Sequence, residues 1–366
     1  MKFKCKRADL IYGVQTVLNA ISNRNTLPIL SNILFETDNN IVRLTGTDLE
    51  VSIKCQIPAE ILSAGSITIP AKRLSEIVRE LPDSDINLSL NDNSVITLTC
   101  DKAIFKINGL PKDDYPVLPK VKPDKGFNLP KATLLNMIKK SIFAVSTDET
   151  RYVLNGVLFF MEGNKLRLVA TDGHRLAMID HNLEKNPNQK FNYIVPAKTL
   201  QELSKILDGE GEINIQITDN QIVFINAELI LMSRLIDGQF PNYQQVIPKQ
   251  SERILHCETG TLLSATRRVS LMAVDKSSSV KYTFSSNKLT ISANTPEVGE
   301  AQEELDLDYN GDSMSIAFNA KYILDVLKNI SSEKCIMELS SNLNPGVFKP
   351  QSESEEYVCI VMPMRL

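Results

Sequence analysis

The sequence predicts an α+β fold built from three similar domains, because segments of the chain resemble one another at a nearly constant spacing. The string LTGTDLEV (44–51) matches LVATDGHR (168–175) at a shift of 124 residues, and LTISANTPE, from Leu289, continues the series. Solenoid repeats run about 20–50 residues, so this period corresponds to whole domains.

Two further sets of segments repeat in the same order. One set is ITIPAKRLSEIVRELP (67–82), YIVPAKTLQELSKILD (193–208) and IAFNAKYILDVLKNIS (316–331). The other is ADLIYGVQTVLNAI (8–21), ATLLNMIKKSIFAV (132–145) and GTLLSATRRVSLMA (260–273). Pro-rich closing segments at 110–120 and 236–249 precede the next repeat. We therefore predict domains at 1–125, 126–249 and 250–366.

Each domain is predicted to run helix, strands, helix, strands. The first helix has an apolar stripe with helical spacing, formed by Leu10, Ile11, Val14, Val17, Leu18 and Ile21. Strands with alternating apolar residues follow, as in NKLRLVAT (164–171). The second helix begins near PAK, where proline is tolerated, and hairpins with Asp/Asn turns follow at 86–100 and 213–227.

The composition is that of a folded protein without a targeting or membrane segment. Of the 366 residues, 43% are hydrophobic and 23% charged, and no apolar run approaches the about 20 residues that span a bilayer. Six scattered cysteines form no CxxC pair, so neither a zinc site nor a disulfide framework is indicated, and a reducing cytoplasm is expected. We predict no metal and no cofactor.

The stretch ATDGHRLA (170–177) is the first candidate for chemistry, because Asp172, His174 and Arg175 lie within four residues. No HxH, HExxH or GxSxG pattern surrounds the histidines, and nothing supplies a nucleophile or further metal ligands. The equivalent string carries Thr47 and Asp48 without a histidine. A turn is therefore favoured over a catalytic centre, although an enzyme acting on nucleotides stays open as an alternative.

The helices carry basic residues at equivalent places, despite a net charge of −4. These are Lys72, Arg73, Arg79, Lys139, Lys140, Lys198, Lys205, Arg267, Arg268, Lys321 and Lys328. Glutamates share the same helices, so a solvated face of mixed charge is one interpretation. If the three domains curve into an arc, the helices could instead form one wall that attracts phosphates.

Over its full length the chain resembles the bacterial DNA polymerase III beta subunits, the sliding clamps. The resemblance rests on TLPILSNILF, LTGTDLEV, ATDGHRLA, DGQFPNY, SANTPE, YILDVL and the terminal MPMRL, in the family's order and spacing. It implies a non-catalytic processivity factor: a head-to-tail homodimer closed into a six-domain ring that slides on duplex DNA. The implied partners are the polymerase III catalytic subunit, a separate clamp loader, and other polymerases and repair proteins that carry short clamp-binding peptides.

The resemblance implies a hydrophobic pocket for those peptides. Its members are Arg151, Leu154, Thr171, Gly173, His174, Arg175, Leu176, Pro241, Val246, Asn319, Tyr322, Ile360, Met362, Pro363, Met364 and Arg365. Met-rich segments deform to accept different apolar anchors, which suits several partners. An ordinary closing strand at the C-terminus is compatible with this role.

Two further surfaces are expected. DNA-facing residues are Arg24, Lys72, Arg79, Lys139, Lys140, Tyr152, Lys198 and Lys205. Residues of the dimer interface are Arg73, Lys102, Phe105, Ile107, Leu271, Met272, Glu300, Glu303 and Glu304. For Leu271 and Met272, burial in the domain's own core at a helix end is the competing interpretation. A peptide-binding scaffold that forms no ring is the second alternative function.

Overall fold

The fold is known from a computed structural model, which describes residues 1–21, 27–117, 126–184, 187, 190–207, 210–218, 220–248, 250–274, 278–296, 298–352 and 355–365. Within these residues the α-helices are α1 (Arg7–Leu18), α2 (Ala71–Glu80), α3 (Lys131–Ile142), α4 (Ala197–Ile206), α5 (Thr259–Ser270) and α6 (Ala320–Lys328). Each predicted domain contributes two of these six, as expected from the repeated apolar stripes.

The strands also follow a repeated order. In the first third of the chain they are β1 (Lys2–Lys6), β2 (Asn32–Asp38), β3 (Ile41–Thr47), β4 (Val51–Pro58), β5 (Glu60–Ser63), β6 (Ser66–Pro70), β7 (Asp85–Leu90), β8 (Val95–Cys100) and β9 (Ala103–Asn108). In the middle third they are β10 (Phe127–Pro130), β11 (Gly156–Glu162), β12 (Lys165–Thr171), β13 (Arg175–Asn182), β14 (Phe191–Pro196), β15 (Glu212–Ile217), β16 (Gln221–Ile225) and β17 (Leu229–Arg234). In the last third they are β18 (Arg253–Glu258), β19 (Ser279–Ser285), β20 (Lys288–Thr295), β21 (Gly299–Asp306), β22 (Met314–Asn319), β23 (Lys334–Leu339), β24 (Gly346–Pro350) and β25 (Tyr357–Val361).

The predicted α+β class is confirmed, and both predicted hairpins form, as β7 with β8 and β15 with β16. Sequence reasoning missed the strand that precedes the first helix of each repeat, namely β1, β10 and β18. Each of these strands buries only two side chains, such as Phe3 and Cys5 in β1. Two apolar positions are too few to show a reliable alternation.

The helices bury the faces that their spacing predicts. In α2, Leu74 and Val78 are buried, whereas Lys72, Arg73 and Arg79 are exposed. Apolar residues three or four apart lie on one side of a helix, so α2 packs that side inward and leaves its basic side in water. Helix α1 packs in this way on α2 and on β3 and β4.

The strands form four antiparallel sheets, and two of these combine different thirds of the chain. One eight-stranded sheet has the order β10-β15-β16-β17-β4-β3-β2-β6, and the other has the order β14-β11-β12-β13-β25-β24-β23-β18. Strands β5-β1-β7-β8-β9 and β21-β20-β19-β22 form the smaller sheets. The middle repeat is thus divided between two sheets, each completed by a neighbouring repeat.

The described chain forms two compact units. Unit 1 contains Met1–Thr133 and Lys198–Leu235, and unit 2 contains Leu134–Ala197 and Ile236–Leu366. Because the shared sheets bind parts of the middle repeat to each neighbour, compactness follows the sheets and not the sequence repeat. The boundaries after residues 125 and 249 stay predictions about the repeat.

Candidate functional site

The turn between β12 and β13 in unit 2 is built by its own Thr–Asp pair. Asp172 Oδ1 accepts hydrogen bonds from the backbone N–H groups of His174 and Arg175, at 2.9 and 3.0 Å. The Thr171 hydroxyl donates to the Arg175 carbonyl at 2.6 Å, and Gly173 takes a left-handed φ of 87°. Aspartate and glycine favour this conformation, so Asp172 is committed to shaping the turn.

The turn between β3 and β4 in unit 1 has the same hydrogen bonds. Asp48 Oδ1 accepts from the N–H groups of Glu50 and Val51, at 3.0 and 2.8 Å, and the Thr47 hydroxyl donates to the Val51 carbonyl at 3.0 Å. Leu49 takes the place of Gly173, with a φ of 76°. The interpretation of the Thr–Asp pair as part of the repeated fold is confirmed.

Arg175 lies beneath the turn rather than on its surface, with only 7% of it exposed. Its guanidinium donates to Asp172 at 3.1 Å, to Asp325 at 2.7 Å and to the Phe143 carbonyl at 2.5 Å. Its Cζ also lies 4.6 Å from the ring centroid of Tyr322. A buried charge needs such partners, so Arg175 supports the site from below and is not a free contact for a ligand.

His174 is exposed and its ring stacks on Tyr322, with centroids 6.3 Å apart and planes 16° from parallel. Burial raises the pKa of the Tyr322 hydroxyl, with a further contribution from Asp172. The His174 carbonyl accepts a hydrogen bond from the N–H of Met362 at 2.9 Å. The histidine thus forms one wall, fixed by an aromatic neighbour and by the chain terminus.

The C-terminal strand completes the site. In the β13–β25 pair, Leu176 lies opposite Ile360 and Arg175 opposite Val361. Beyond the strand, the N–H of Met364 donates to the Ala317 carbonyl at 2.8 Å. This terminal segment therefore lies beside the turn, as expected, with Met362 exposed and Pro363 and Met364 half-buried.

Apolar side chains form the floor of this region. Leu176 and Ile360 belong to a buried cluster with Leu158, Val169, Ile194 and Phe240, against which Tyr243 and Ile247 pack. Pro241 and Val246 are exposed and adjoin members of that packing in sequence, and Leu154 is buried. At the edge, Arg151 Nη1 donates to the Asp172 carbonyl at 3.2 Å, and Asn319 caps α6 through the N–H of Lys321. Arg365 is exposed.

The arrangement is suited to binding rather than to chemistry. Among the described residues no group of three or more His, Cys, Asp or Glu side chains is placed to hold a metal ion. The Asp172 carboxylate is occupied by two backbone N–H groups and by Arg175, so it is not poised to accept a proton from a substrate. An apolar floor with backbone groups at its edge can take an extended peptide.

Family models match almost the whole chain. They describe the DNA polymerase III beta subunit: its N-terminal domain at residues 1–119, its central domain at 128–242 and its C-terminal domain at 244–365. The chain belongs to the DNA polymerase III beta subunit family. The resemblance seen in the sequence motifs is thereby confirmed.

Similar proteins and structures agree with this assignment. The chain is 33% identical to a beta sliding clamp of Chlamydia muridarum, over 100% of this chain and 99% of that protein. It is 35% identical to one of Synechocystis, with 100% of both covered. The DNA polymerase sliding clamp of Bacillus subtilis superposes with a TM-score of 0.96 at 34% identity, over 100% of this chain and 99% of that one. The beta subunit is a non-catalytic processivity factor of DNA polymerase, so the enzyme alternative is wrong.

The structure places most of the expected DNA-facing residues of this beta subunit on exposed surface. Lys72, Arg79, Lys139, Lys198 and Lys205 are exposed on helices, and Tyr152 is exposed in a 3-10 helix at Glu149–Leu154. Two of them are already paired, Lys198 with Asp48 at 2.5 Å and Lys205 with Glu202 at 3.0 Å. Arg24 lies outside the described residues.

The prediction that Lys140 faces DNA is wrong, because its side chain is buried. It is only 3% exposed, its ammonium bonds Glu355, and it lies 5.1 Å from the ring centroid of Tyr357. Adjacent helix positions point in different directions, so Lys139 faces water while Lys140 turns under the C-terminal strand. The sequence pair KK gave no sign of this difference, because its partner Glu355 lies more than 200 residues away.

The expected dimer-interface residues are divided between unit 1 and unit 2. In unit 1, Phe105 is half-buried on β9, Lys102 is exposed at the β8–β9 turn, and Arg73 is exposed with Glu76 at 3.1 Å. Ile107 is buried in its own unit. Sequence reasoning missed Ile104, which is 67% exposed on the same edge strand. It lies between the less exposed residues Ala103 and Phe105, so the sequence alone did not show that it faces outward.

In unit 2, Leu271 is 71% exposed just after α5, which rejects the competing interpretation that it is core. Met272 is half-buried, and its carbonyl accepts from the Thr295 hydroxyl at 2.6 Å. On β21, Glu300 is exposed, whereas Glu303 bonds Arg268 at 2.5 Å and Glu304 bonds Lys288 at 2.8 Å. Only Glu300 of the three lacks an ion pair among the described residues.

Proposed function

We propose that this beta subunit forms a homodimeric ring that encircles duplex DNA in the cytoplasm and tethers polymerases through the pocket around His174. The observation that carries the proposal is the repeated pairing of edge strands in the described chain. Strand β17 pairs with β4, and β25 pairs with β13, in both cases antiparallel. Strand β9 is the repeat equivalent of β17 and β25, and β21 that of β4 and β13.

The register of the two observed junctions is the same. Leu229 lies opposite Cys55 at one junction, and Tyr357 lies opposite Ile179 at the other. When the three repeats are aligned, Leu229 and Tyr357 are equivalent to Ala103. In the same alignment, Cys55 and Ile179 are equivalent to Glu303. A second copy of the chain can therefore supply β21 to pair with β9.

This register predicts the contacts of the dimer. With Ala103 opposite Glu303, Lys106 of one protomer faces Glu300 of its partner, and Phe105 faces Ala301. An opposite-charge pair directly across two strands favours pairing by about 0.2–1 kcal/mol. Edge strands expose unpaired backbone groups, so head-to-tail pairing at both ends would close the assembly.

The ring is tested by loading the protein, with clamp loader and ATP, onto a nicked circular plasmid. A ring is retained on the circle in high salt, because retention is topological, and it is released when the plasmid is cut at one site. Persistence on the linear DNA contradicts the ring, because it indicates direct binding to DNA. Loss from the circle in high salt also contradicts the ring and favours a scaffold that binds peptides alone.

The peptide pocket is tested with a fluorescent pentapeptide that carries adjacent apolar anchors, acetyl-Ser-Asp-Leu-Leu-Phe-amide. The His174→Ala change should weaken its binding about tenfold, because it removes a wall that packs on Tyr322. His256→Ala is the matched control, since His256 is exposed and bonds Gln351 at 3.1 Å on another strand. Equal affinities for both variants and the unchanged protein would remove His174 from the pocket.

A further inference from the structure

Unit 1 contains a hollow at the junction of β4 and β17. It has a volume of about 200 Å³, and its lining includes Thr47, Leu49, Glu50, Ser52, Met232 and Arg234. Pro116, from the first Pro-rich closing segment, also lines it. It lies well away in sequence from the pocket around His174.

The hollow occupies the position that the repeat makes equivalent to that pocket. At the shift of 124 residues, Thr47, Leu49, Glu50 and Ser52 correspond to pocket residues of the second repeat. Those residues are Thr171, Gly173, His174 and Leu176. From the aligned strand pairs, Met232 and Arg234 correspond to Ile360 and Met362.

The backbone construction of the two places is also the same. The N–H of Arg234 donates to the Glu50 carbonyl at 3.0 Å, as the N–H of Met362 does to the His174 carbonyl at 2.9 Å. Both turns carry the same Thr–Asp hydrogen bonds. The fold thus forms the same groove twice, with different side chains around it.

The geometry points to a second peptide-binding site at this hollow, which takes a short extended peptide with one aliphatic anchor followed by an acidic residue. This inference rests on the proposed peptide-binding function of the equivalent pocket. The volume is below the about 300–1,000 Å³ of pockets that hold whole small ligands, so it fits a side chain.

The side chains at the hollow select this occupant. Leu49 and Met232 supply apolar contacts, and Leu49 is exposed at the mouth. The exposed Arg234 presents a planar set of donors that a carboxylate can fill in bidentate fashion. Ser52 replaces Leu176, so this site is more polar than its equivalent and requires fewer apolar anchors.

Leu49 is held in a left-handed conformation, with a φ of 76°, that residues with a Cβ rarely adopt. Such a conformation costs of the order of 1–3 kcal/mol and persists where the surroundings enforce it. The equivalent Gly173 has a φ of 87° at no such cost. Leu49→Gly therefore removes the apolar contact while relieving strain, which makes it a variant that is expected to fold.

Methionine methyl groups report on the two sites separately. Met232 lines the hollow, whereas Met362 and Met364 belong to the terminal segment of the other pocket. The full-length protein labelled at its methionine methyl groups is titrated with acetyl-Ser-Leu-Asp-Ser-amide and followed by NMR. The chemical shift of the Met232 methyl group should change as the peptide is added and reach a plateau. The peptide in which Leu is replaced by Ser should leave that chemical shift unchanged.

Leu49→Gly should weaken the binding read at Met232 about tenfold, as expected when one aliphatic side chain is removed from the site. An unmoved Met232 signal, or equal affinity for Leu49→Gly and the unchanged protein, overturns the second site. The apolar pentapeptide, read at Met362 and Met364, tests the proposed function independently. A response there without one at Met232 leaves that function intact and removes only this inference.

Discussion

Arg175 shows how one buried charge stabilises a binding surface that it does not itself present. Its guanidinium holds the turn through Asp172, helix α6 through Asp325, and the end of α3 through the Phe143 carbonyl. Three elements far apart in sequence are thereby joined under His174. The sequence motif indicated that Arg175 was important, but its role required the partners that folding brings to it.

We expect Arg175→Gln to destabilise unit 2 by about 3–5 kcal/mol, because it leaves two carboxylates without their buried cation. Thermal unfolding followed by circular dichroism measures the effect. Arg151→Gln is the control, since Arg151 is exposed, donates to the Asp172 carbonyl at the edge of the same turn and pairs with Asp148 at 3.7 Å. A melting temperature for Arg175→Gln equal to that of the control would contradict this role.

His181, on β13, gives the fold a dependence on pH. Burial lowers the pKa of its imidazole, so the unfolded chain binds a proton more readily than the folded chain. The corresponding stability is fully present above the ordinary histidine pKa of about 6.5 and is lost as the pH falls below it and through the lowered pKa of the folded chain. His181→Gln should reduce the fall in melting temperature between pH 7 and pH 5. An unchanged profile would exclude His181 as its source.

At the scale of elements, the edge strands decide how copies of the chain can associate. Strand β9 lies at the edge of a five-stranded sheet, and β21 lies at the edge of a four-stranded sheet. The equivalents of β9 in the other repeats are β17 and β25, and those of β21 are β4 and β13. These four strands pair with one another within the chain. The sequence predicted a dimer interface between β9 and the third repeat. The register of that strand pair follows from the β17–β4 and β25–β13 pairs within the chain.

We expect Ile104→Asp to weaken the dimer by at least about tenfold, because it replaces an exposed apolar side chain with a charge on an edge strand that the partner strand would cover. Ile254→Asp is the matched control, since Ile254 is 58% exposed on β18, an edge strand with a different place in the repeat. Sedimentation equilibrium measures both. Equal dimer affinities would show that β9 is not the interface.

At the scale of the whole molecule, an acidic protein can still act on DNA if its basic residues are concentrated on helices. The net charge is −4, and the described parts of the chain contain no helix that is long and apolar enough to cross a membrane. A topological link does not need tight phosphate contacts, and weak contacts allow sliding. The distribution of charge therefore matters more than its total.

The neighbouring lysines of α3 test that distribution. Lys139→Ala should lower affinity for a short duplex and reduce the slope of log K against log salt, by up to about 0.9 for each phosphate that is no longer neutralised. Lys140→Ala should leave the slope unchanged, because Lys140 is buried against Glu355. Fluorescence anisotropy at several salt concentrations gives both slopes. An equal fall for the two variants would indicate that Lys140 reaches DNA.

The sequence by itself determined the threefold repeat, the α+β class, the paired helices and the motifs that identify the family. These are local signals: apolar spacing, turn residues and short strings survive in every copy of the repeat. The pocket residues were predicted from the same strings, by resemblance. Ile104 was missed and Lys140 was misjudged, because exposure depends on which neighbours cover a side chain.

Only the tertiary structure decided how the repeats are joined. Hydrogen bonding between β4 and β17, and between β13 and β25, makes compact units that cut across the middle repeat. It also forms one groove around His174 and a second around Leu49, where the sequence had indicated only one. Strand pairing between residues more than 170 positions apart leaves no local pattern, so the junctions could be found only from the folded chain.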